Sequence, residues 1–316
     1  MKNKKHLFFI DPIEKLVTKK DSTILIALTM QERGEDVYVL FEKDFFVQNA
    51  NGIQFDCYRI SGKINESFYV EDFEVEDDSQ VVSIDSNTAI HMRIDPPYDS
   101  RYQRYLWMLN FLTEMYGVQV LNNPLGIMKH NEKLSAYTRE LSLDSYVGTS
   151  LAGAKKFVAA LASRGVQELI LKPLDLYQGI GVQKVGLDGF EGHFKAKCDE
   201  FKGPVVVQEF DASVIEGEIR TIFYRANELG TILKVPKEGE FLANIAQGAK
   251  YSAVELDPEV KAECQHICEK LMADGVDLIA FDILGGKISE VNVTCPGLMV
   301  EVSSAMKRNL ALELFR

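Results

Sequence analysis

The stretch F-D-I-L-G-G-K-I-S-E-V-N-V-T, residues 281–294, has the pattern of a β-hairpin with polar side chains along one edge. A Gly-Gly pair between two apolar, β-branched runs is a strong signal for a tight hairpin turn. Across such a turn Asp282 and Glu290 lie on adjacent strands, and two-residue alternation places Glu290 and Asn292 on one face. Three oxygen-bearing side chains then converge, as Mg²⁺ beside nucleotide phosphates requires. An ordinary hairpin with a solvated polar face is the alternative.

The chain before this hairpin alternates strand and helix patterns that are typical of a small α+β lobe followed by a second sheet. The predicted segments are a helix at 151–164, strands at 168–172, 182–185, 205–209, 219–224 and 230–235, a mobile loop at 237–250 and a helix at 258–273.

The N-terminal part has the rhythm of a parallel sheet. Strand patterns at 7–10 and 37–41 flank a helix pattern at 21–33, which Asp21 or Ser22 can cap. A second helix pattern covers 101–116 and precedes a strand at 118–121, whereas the acidic run 71–78 is expected to be a solvated loop.

A turn cluster, Asn122-Asn123-Pro124, separates these two regions. We expect this cluster to mark the first domain boundary, and we expect the domains to cover 1–123, 124–210 and 211–316. The fold class is mixed α/β and α+β, with a parallel-sheet domain first and two smaller lobes after it.

Charge and composition exclude several classes of protein. The chain of 316 residues has 35 Lys and Arg against 47 Asp and Glu, and the net charge of -12 argues against a general nucleic-acid binder. No apolar run approaches the ~20 residues of a membrane span, and the basic start is too short in apolar residues for a secretory signal. Five scattered cysteines fit reduced thiols. We expect a cytosolic protein with no membrane or nucleic-acid partner.

Cationic side chains follow or open several of the predicted elements. Lys172 ends an apolar strand just before a proline, where its ammonium can point toward a phosphate, and Lys133 opens a helix pattern. Arg220 lies within a strand, and because an unpaired buried guanidinium is costly it needs an anion from the protein or from a ligand. Arg93, in M-R-I-D-P-P-Y-D, can form a bidentate contact with a carboxylate. Plain surface lysines, and an Arg93 ion pair with a neighbouring aspartate, are the alternatives.

Several strings together resemble the bacterial glutathione synthetases of the ATP-grasp superfamily, in order and spacing over nearly the whole chain. They are D-P-I-E and T-K-K-D-S within 11–22, M-R-I-D-P-P-Y-D at 92–99, L-N-N-P and N-E-K-L at 121–134, I-L-K-P-L-D from residue 170 and E-V-N-V-T from residue 290. The resemblance implies an N-terminal parallel-sheet domain followed by a two-lobed ATP-grasp fold, which grips the nucleotide between two antiparallel sheets.

The resemblance also implies an activity. The γ-phosphate of ATP is transferred to a substrate carboxylate, and an amine then attacks the acyl phosphate; the expected substrates are γ-glutamylcysteine and glycine. ATP is expected together with Mg²⁺, with Mn²⁺ as the alternative metal. A homo-oligomer, with a tetramer as the specific expectation, is also implied.

The roles that the resemblance implies for single residues fall into four groups. ATP is assigned to Lys133, Lys172, Gln208, Glu209, Phe210, Asp211, Glu218 and Lys234; the metal to Asp282, Glu290 and Asn292; substrates to Asp11, Ser22, Arg93, Arg220 and Asn244; and catalysis to Arg220, Lys172 and Asn292.

The chain departs from the family pattern at three places. After L-K-P-L-D only part of the usual glycine run remains, in L-Y-Q-G-I-G at 176–181, and the loop has F-L-A-N at 241–244 where the family has an arginine. The stretch C-P-G-L-M-V-E at 295–301 also lacks the family's usual arginine. Two alternatives therefore stand beside glutathione synthesis: an ATP-grasp ligase for another acid and amine, and a nucleotide-binding protein without ligase activity.

Overall fold

The computed structural model describes residues 4–50, 52–137, 140–240, 242–245 and 248–315. The N-terminal elements are β1 (Lys5–Ile10), α1 (Ser22–Glu32), β2 (Asp36–Phe41), β3 (Gln54–Cys57), β4 (Ile60–Ile64), β5 (Val70–Val75), β6 (Gln80–Ser83), β7 (Thr88–Met92), α2 (Ser100–Tyr116) and β8 (Gln119–Leu121). The middle elements are α3 (Pro124–Lys129), α4 (Glu132–Ala136), β9 (Ser145–Gly148), α5 (Leu151–Ser163), β10 (Glu168–Pro173), β11 (Gln183–Gly186), α6 (Phe190–Phe201) and β12 (Val205–Glu209). The last elements are β13 (Glu218–Tyr224), β14 (Asn227–Val235), β15 (Lys250–Ala253), α7 (Pro258–Met272), β16 (Leu278–Leu284), β17 (Lys287–Asn292) and α8 (Met299–Met306).

The first sheet is parallel, in the order β2-β1-β7-β8, so the βαβ rhythm of the sequence is confirmed. Helix α2 packs on one face of this sheet through Tyr102, Leu106, Leu109 and Leu112. Helix α1 packs on the other face, capped by the Asp21 carboxylate, which accepts the amides of Thr23 and Ile24.

Helix α1 is buried on nearly every side. All residues from Ser22 to Met30 are buried, because α1 packs against the parallel sheet and also against α8 and the sheet that contains β13 and β14. The N-terminal and C-terminal parts of the chain therefore share one hydrophobic core, and the N-terminus of α1 is fixed beside the C-terminal sheet.

The expectation of a loop over the acidic run 71–78 is wrong for residues 71–75, whereas residues 76–78 are an exposed connection outside any strand. Val70–Val75 forms β5, which pairs antiparallel with β4. The physical reason lies in the alternation of the strand: Asp72 and Glu74 face solvent, whereas Phe73 and Val75 pack against the core shared with α1. The acidic side chains of β5, which suggested a loop, lie on the solvent-exposed face of the two-stranded ribbon formed by β4 and β5.

The second and third sheets are antiparallel, in the orders β11-β10-β12-β9 and β15-β14-β13-β16-β17. Helices α5 and α6 cover the second sheet with their apolar sides. The third sheet is covered by α7 on one face and by α8 on the other. The central cavity lies between the second and third sheets.

The hairpin expected around the Gly-Gly pair is confirmed. Strands β16 and β17 are joined by Gly285 and Gly286, with φ of 56° and 76°, and the register pairs Asp282 with Glu290. Positive φ at both central residues is what a tight hairpin turn of this hand requires. None of the described helices is long and apolar enough to cross a membrane.

Candidate active site

A cavity of about 610 Å³ lies between the two antiparallel sheets and reaches the N-terminus of α1. Fifteen of the sixteen residues that the sequence assigns to a site line it: Ser22, Arg93, Lys133, Lys172, Gln208, Glu209, Phe210, Asp211, Glu218, Arg220, Lys234, Asn244, Asp282, Glu290 and Asn292. Asp11 does not line the cavity; its Oδ2 accepts the backbone amide of Asp95, which does, at 2.8 Å.

The Asp282 carboxylate is the centre of the polar cluster on the third sheet. Arg220, its cross-strand neighbour, donates from Nε to Oδ1 at 3.0 Å and from Nη2 to Oδ2 at 2.8 Å. Lys234 donates to the same Oδ1 at 2.9 Å. Burial opposes ionisation of this carboxyl, but the charges of Arg220 and Lys234 outweigh it and hold the pKa of Asp282 well below its usual range. The anion that Arg220 needs is therefore a protein carboxylate.

Lys234 also joins a second carboxylate. It faces Glu218 across the β13–β14 pair and donates to Glu218 Oε2 at 2.7 Å. Burial lowers the pKa of Lys234, but Asp282 and Glu218 more than compensate and raise it. Three neighbouring strands, β14, β13 and β16, thus hold two cations and two anions within one buried network, and a polyphosphate that enters the cavity meets this network directly.

Lys133 and Glu290 connect helix α4 to β17. The Lys133 ammonium is 3.0 Å from Glu290 Oε1 and donates to the carbonyl of Leu176 at 2.8 Å. The lysine is 4% exposed, so burial makes this ion pair stronger than a surface pair. The Leu176 carbonyl lies at the start of the glycine-containing loop 176–181. Lys133 therefore links this loop to Glu290, one of the residues assigned to the metal.

Lys172 is the cation of the second sheet that faces the third. Burial lowers the pKa of its ammonium, although Glu290, Glu218 and Asp282 each raise it. It lies 6.0 Å from the centre of the Tyr137 ring. Because the three carboxylates that act on Lys172 belong to the third sheet, this ammonium lies where a charged ligand between the sheets would pass.

The donor set on β16 and β17 fits a divalent cation that accompanies a nucleotide. Asp282 and Glu290 supply carboxylate oxygens, and the amide nitrogen of Asn292 donates to Asp282 Oδ2 at 3.1 Å, which leaves the amide oxygen of Asn292 as an acceptor. In the described part of the chain no group of three or more His, Cys, Asp and Glu could hold a metal by itself. This chemistry suits Mg²⁺, which keeps water and phosphate ligands.

Residues 208–211, four of those that the resemblance assigns to ATP, lie beside the cavity at the end of β12 and just after it. Gln208 is 3% exposed and its amide donates to the Ser145 hydroxyl at 2.6 Å. The Phe210 ring stacks under the Lys184 ammonium at 3.9 Å, and the Asp211 carboxylate accepts the amide of Ser213. Glu209 pairs with Lys287 at 3.5 Å.

The substrate residues expected from the N-terminal part meet at the opposite end of the cavity. The Arg93 guanidinium donates to the Thr23 hydroxyl and to the Pro296 carbonyl, both at 2.9 Å, rather than forming an ion pair with Asp95 or Asp99. The Ser22 hydroxyl accepts the amide of Met299 at 3.0 Å. These bonds fix the start of α1 against the start of α8.

The glycine-containing loop closes one side of the cavity. Gly179 and Gly181 have φ of 79° and 76°, a conformation that disfavours other residues. Leu242 packs on this loop: a Cβ added to Gly179 would lie 3.1 Å from Leu242 Cδ1. Asn244 donates to the carbonyl of Gln178 at 3.3 Å. The glycine-containing loop and residues 242–244 therefore contact each other, through the apolar side chain of Leu242 and through a hydrogen bond from Asn244.

Sequence reasoning missed Glu132, which positions the end of β17. Its Oε1 accepts the amides of Val293 and Thr294 at 2.8 and 2.9 Å and the hydroxyl of Thr294 at 2.8 Å. The signal was present, because Glu132 stands beside Lys133 in the N-E-K-L string. Its partners lie more than 160 residues further along the chain, so no local pattern reveals them.

Comparisons with known proteins agree with this geometry. Residues 5–127 match the family model described as prokaryotic glutathione synthetase, N-terminal domain, and residues 132–307 match prokaryotic glutathione synthetase, ATP-grasp domain. A glutathione synthetase of Parasynechococcus marenigrum is 28% identical over 309 residues, with 97% of this chain and 96% of the relative covered. One of Synechocystis sp. is 28% identical over 295 residues, with 92% and 91% covered.

Solved structures show the same fold at lower identity. D-cycloserine synthetase DcsG superposes with a TM-score of 0.65 at 14% identity, covering 97% of this chain and 98% of that one. A RimK domain ATP-grasp protein of Sphaerobacter thermophilus superposes with a TM-score of 0.59 at 14% identity, covering 98% of each chain. With two family models that together match almost the whole chain, and with an ATP-grasp fold around the polar cavity, this chain belongs to the prokaryotic glutathione synthetase family of ATP-grasp ligases.

Proposed function

We propose that this protein joins γ-glutamylcysteine to glycine at the expense of ATP, in the cavity between its two antiparallel sheets. One observation carries the proposal: the cations Lys133, Lys172, Arg220 and Lys234 converge on the carboxylates Glu218, Asp282 and Glu290 along the walls of one cavity. This arrangement matches the charge pattern of a metal-bound triphosphate, which needs cations for phosphate oxygens and carboxylates for the metal.

The first chemical step is transfer of the γ-phosphoryl group to the substrate carboxylate. A carboxylate oxygen attacks the γ-phosphorus, the bond to the β,γ-bridging oxygen breaks, and ADP leaves with an acyl phosphate formed. Charge accumulates on the transferring phosphoryl group, and Lys172 and Arg220 are placed to stabilise it. Asp282, Glu290 and Asn292 would hold Mg²⁺, which supplies additional positive charge at the phosphates.

The second step is attack by the amine. The nitrogen adds to the acyl carbon, the bond from that carbon to the phosphate oxygen breaks, and inorganic phosphate leaves, with the amine proton passing to solvent or phosphate. The acyl phosphate hydrolyses if water reaches it, so the cavity must be closed during this step. The loop 176–181 and residues 242–245 lie at the cavity wall and are the segments that we assign to this closure.

Glutathione formation is tested by omission. Purified protein is incubated with Mg-ATP, γ-glutamylcysteine and glycine, each left out in turn, while phosphate release and product mass are measured. Release that requires all three, with glutathione formed, is the expected result. ATP binding without release for this pair contradicts the proposed substrates.

A second candidate changes the amine substrate. Leu242 contacts the glycine-containing loop at the cavity wall, so this position offers an apolar side chain rather than a cation. A carboxylate-bearing amine such as glycine gains nothing from a leucine, whereas an amine with an apolar group does. In the same assay, phosphate release with such an amine at a higher kcat/KM than with glycine favours this candidate.

We further propose a cytosolic enzyme that acts as a homo-oligomer, with a tetramer as the specific expectation, and that accepts Mn²⁺ in place of Mg²⁺. All five cysteines are free, which fits a reducing compartment. Light scattering of the purified protein tests the oligomer, and turnover with Mn²⁺ replacing Mg²⁺ tests the metal.

A further inference from the structure

The wall of the central cavity contains a carboxylate oxygen that the protein leaves unsatisfied. Glu301 lies in the first turn of α8, is 2% exposed and lines the cavity. Its Oε2 is buried and has no hydrogen-bond partner within the described residues. Among the cavity-lining residues that the structure describes, it is the only buried side-chain oxygen in this condition. A buried carboxylate oxygen without a partner is costly, so a missing partner is the natural explanation.

The neighbouring carboxylates differ because they have structural partners. Asp21 accepts the amides of Thr23 and Ile24 at 2.8 and 3.0 Å and so caps α1. Asp11 accepts the amide of Asp95 at 2.8 Å. These bonds explain why each of the two aspartates lies where it does. No comparable bond is formed by Glu301 Oε2 in the described part of the chain, so the fold does not account for this oxygen.

The charges around Glu301 favour a small cation as its partner. Burial raises the pKa of Glu301, whereas a hydrogen bond with its own backbone and the charges of Lys20 and Arg220 lower it; the charge of Asp21 raises it. Arg220 is already held by Asp282 through two hydrogen bonds. A primary ammonium group supplies one charge and three N–H donors, which is what a single carboxylate requires.

We propose that Glu301 accepts a hydrogen bond from the primary ammonium group of an amino-acid substrate. This inference rests on the proposed function, because it places that substrate in the same cavity. Two sources share this chemistry: the α-ammonium of the γ-glutamyl acid substrate and the ammonium of the incoming amino acid. In either case Glu301 binds and orients a substrate at the end of the cavity formed by α1 and α8.

The first test compares Glu301→Gln with a matched control. Glu259 also lies in the first turn of a helix, α7, but is exposed, so Glu259→Gln makes the same change away from the cavity. With Glu301→Gln we expect the KM of one ammonium-bearing substrate to rise at least tenfold and the KM of ATP to stay within twofold. The substrate whose KM rises identifies the source. Glu301→Asp, which keeps a carboxylate, should restore part of the loss, and Glu259→Gln should change no KM more than twofold.

The second test needs no turnover and therefore separates this inference from the proposed function. Calorimetry on protein loaded with Mg²⁺ and a non-hydrolysable ATP analogue measures the affinity of γ-glutamylcysteine and of glycine, each against its N-acetylated form. Wild type should prefer at least one free ammonium form more than tenfold, and Glu301→Gln should lose that preference. Equal affinity for both forms in wild type, or an unchanged preference in the variant, overturns the inference. Failure of phosphate release alone counts only against the proposed function.

Discussion

Asp282 and Glu290 both form ion pairs with lysine or arginine side chains of the protein itself. Asp282 contacts Arg220 and Lys234, and Glu290 contacts Lys133. Under the proposed function, each cation would exchange a carboxylate for a phosphate oxygen when the nucleotide binds, and the carboxylates would turn to the metal. Lys172 differs, because burial lowers the pKa of its ammonium and an entering anion would favour the charged form.

This difference leads to a prediction for single substitutions. Lys172→Ala and Glu290→Gln should each lower kcat at least about 100-fold, because each removes a charge that acts on the transferring phosphoryl group or on its metal. Steady-state phosphate release measures the effect. Lys155→Ala, which removes an exposed lysine of the same lobe, is the control and should leave kcat within about twofold. Full activity of Lys172→Ala would remove it from the site.

At the scale of the elements, the hairpin β16–β17 was predictable and the ribbon β4–β5 was not. The Gly-Gly pair in an alternating apolar context leaves few conformations open, so the turn follows from the sequence. The pairing of Asp282 with Glu290 depends in addition on a register shift between Asp282 and Ile283, which the sequence pattern does not reveal. In β5 the apolar residues are only Val70, Phe73 and Val75 among acidic ones, and their burial depends on α1, which lies far away in the chain. A local sequence pattern around β5 does not reveal that α1 is its packing partner.

Two histidines, His6 on β1 and His91 on β7, lead to a predicted pH dependence of the free energy of unfolding. His6 Nδ1 and His91 Nε2 are 3.1 Å apart, and His91 stacks on Phe8. Burial, and next the charge of Lys4, lower the pKa of His6 to about 4; burial and the charge of His6 lower that of His91. Between pH 6.5 and 4 these histidines therefore bind protons in the unfolded chain but not in the native protein. The free energy of unfolding consequently decreases as the pH falls through this range.

The loss over this pH range should be on the order of 2 kcal/mol from His6 alone. Urea unfolding at a series of pH values measures it. His6→Gln, which cannot titrate, should show a shallower decline than wild type, whereas His266→Gln, at an exposed position of α7, should follow wild type. Parallel curves for wild type and His6→Gln would show that the imidazole is not responsible.

At the scale of the whole molecule, one buried amide joins the parallel sheet to the third sheet. Asn122, directly after β8, accepts the amides of Asp277 and Leu278 at 3.0 and 2.9 Å. It donates to the carbonyls of Leu278 and Val293 at 2.8 and 3.0 Å. The expected domain boundary at residues 123–124 falls beside this link and stays a prediction.

Asn122→Ala should lower the free energy of unfolding by roughly 2–4 kcal/mol, because four hydrogen bonds are lost and buried backbone groups are left unpaired. Denaturant unfolding measures the change. Asn227→Ala, at an exposed turn position that makes one bond to the Arg225 carbonyl, should cost less than about 1 kcal/mol. Equal effects of the two variants would contradict the linking role of Asn122.

Long-range pairing also limits what the sequence reveals of the site. The string-by-string resemblance brought together the residue types that line the cavity, yet it did not indicate which cation contacts which carboxylate. Arg93 bonds to Pro296, 203 residues away, and Lys133 bonds to Leu176, 43 residues away. Such pairs depend on how three sheets and α1 pack, and only the folded chain specifies them.

The central claim, phosphoryl transfer to a substrate carboxylate in this cavity, is tested most directly by an oxygen-transfer measurement. The acid substrate is labelled with ¹⁸O in the carboxylate that forms the new bond, and the phosphate released during turnover is analysed by mass. The proposed mechanism predicts one ¹⁸O atom in each released phosphate, because the carboxylate oxygen leaves with the phosphoryl group. Unlabelled phosphate formed alongside the amide product would contradict it.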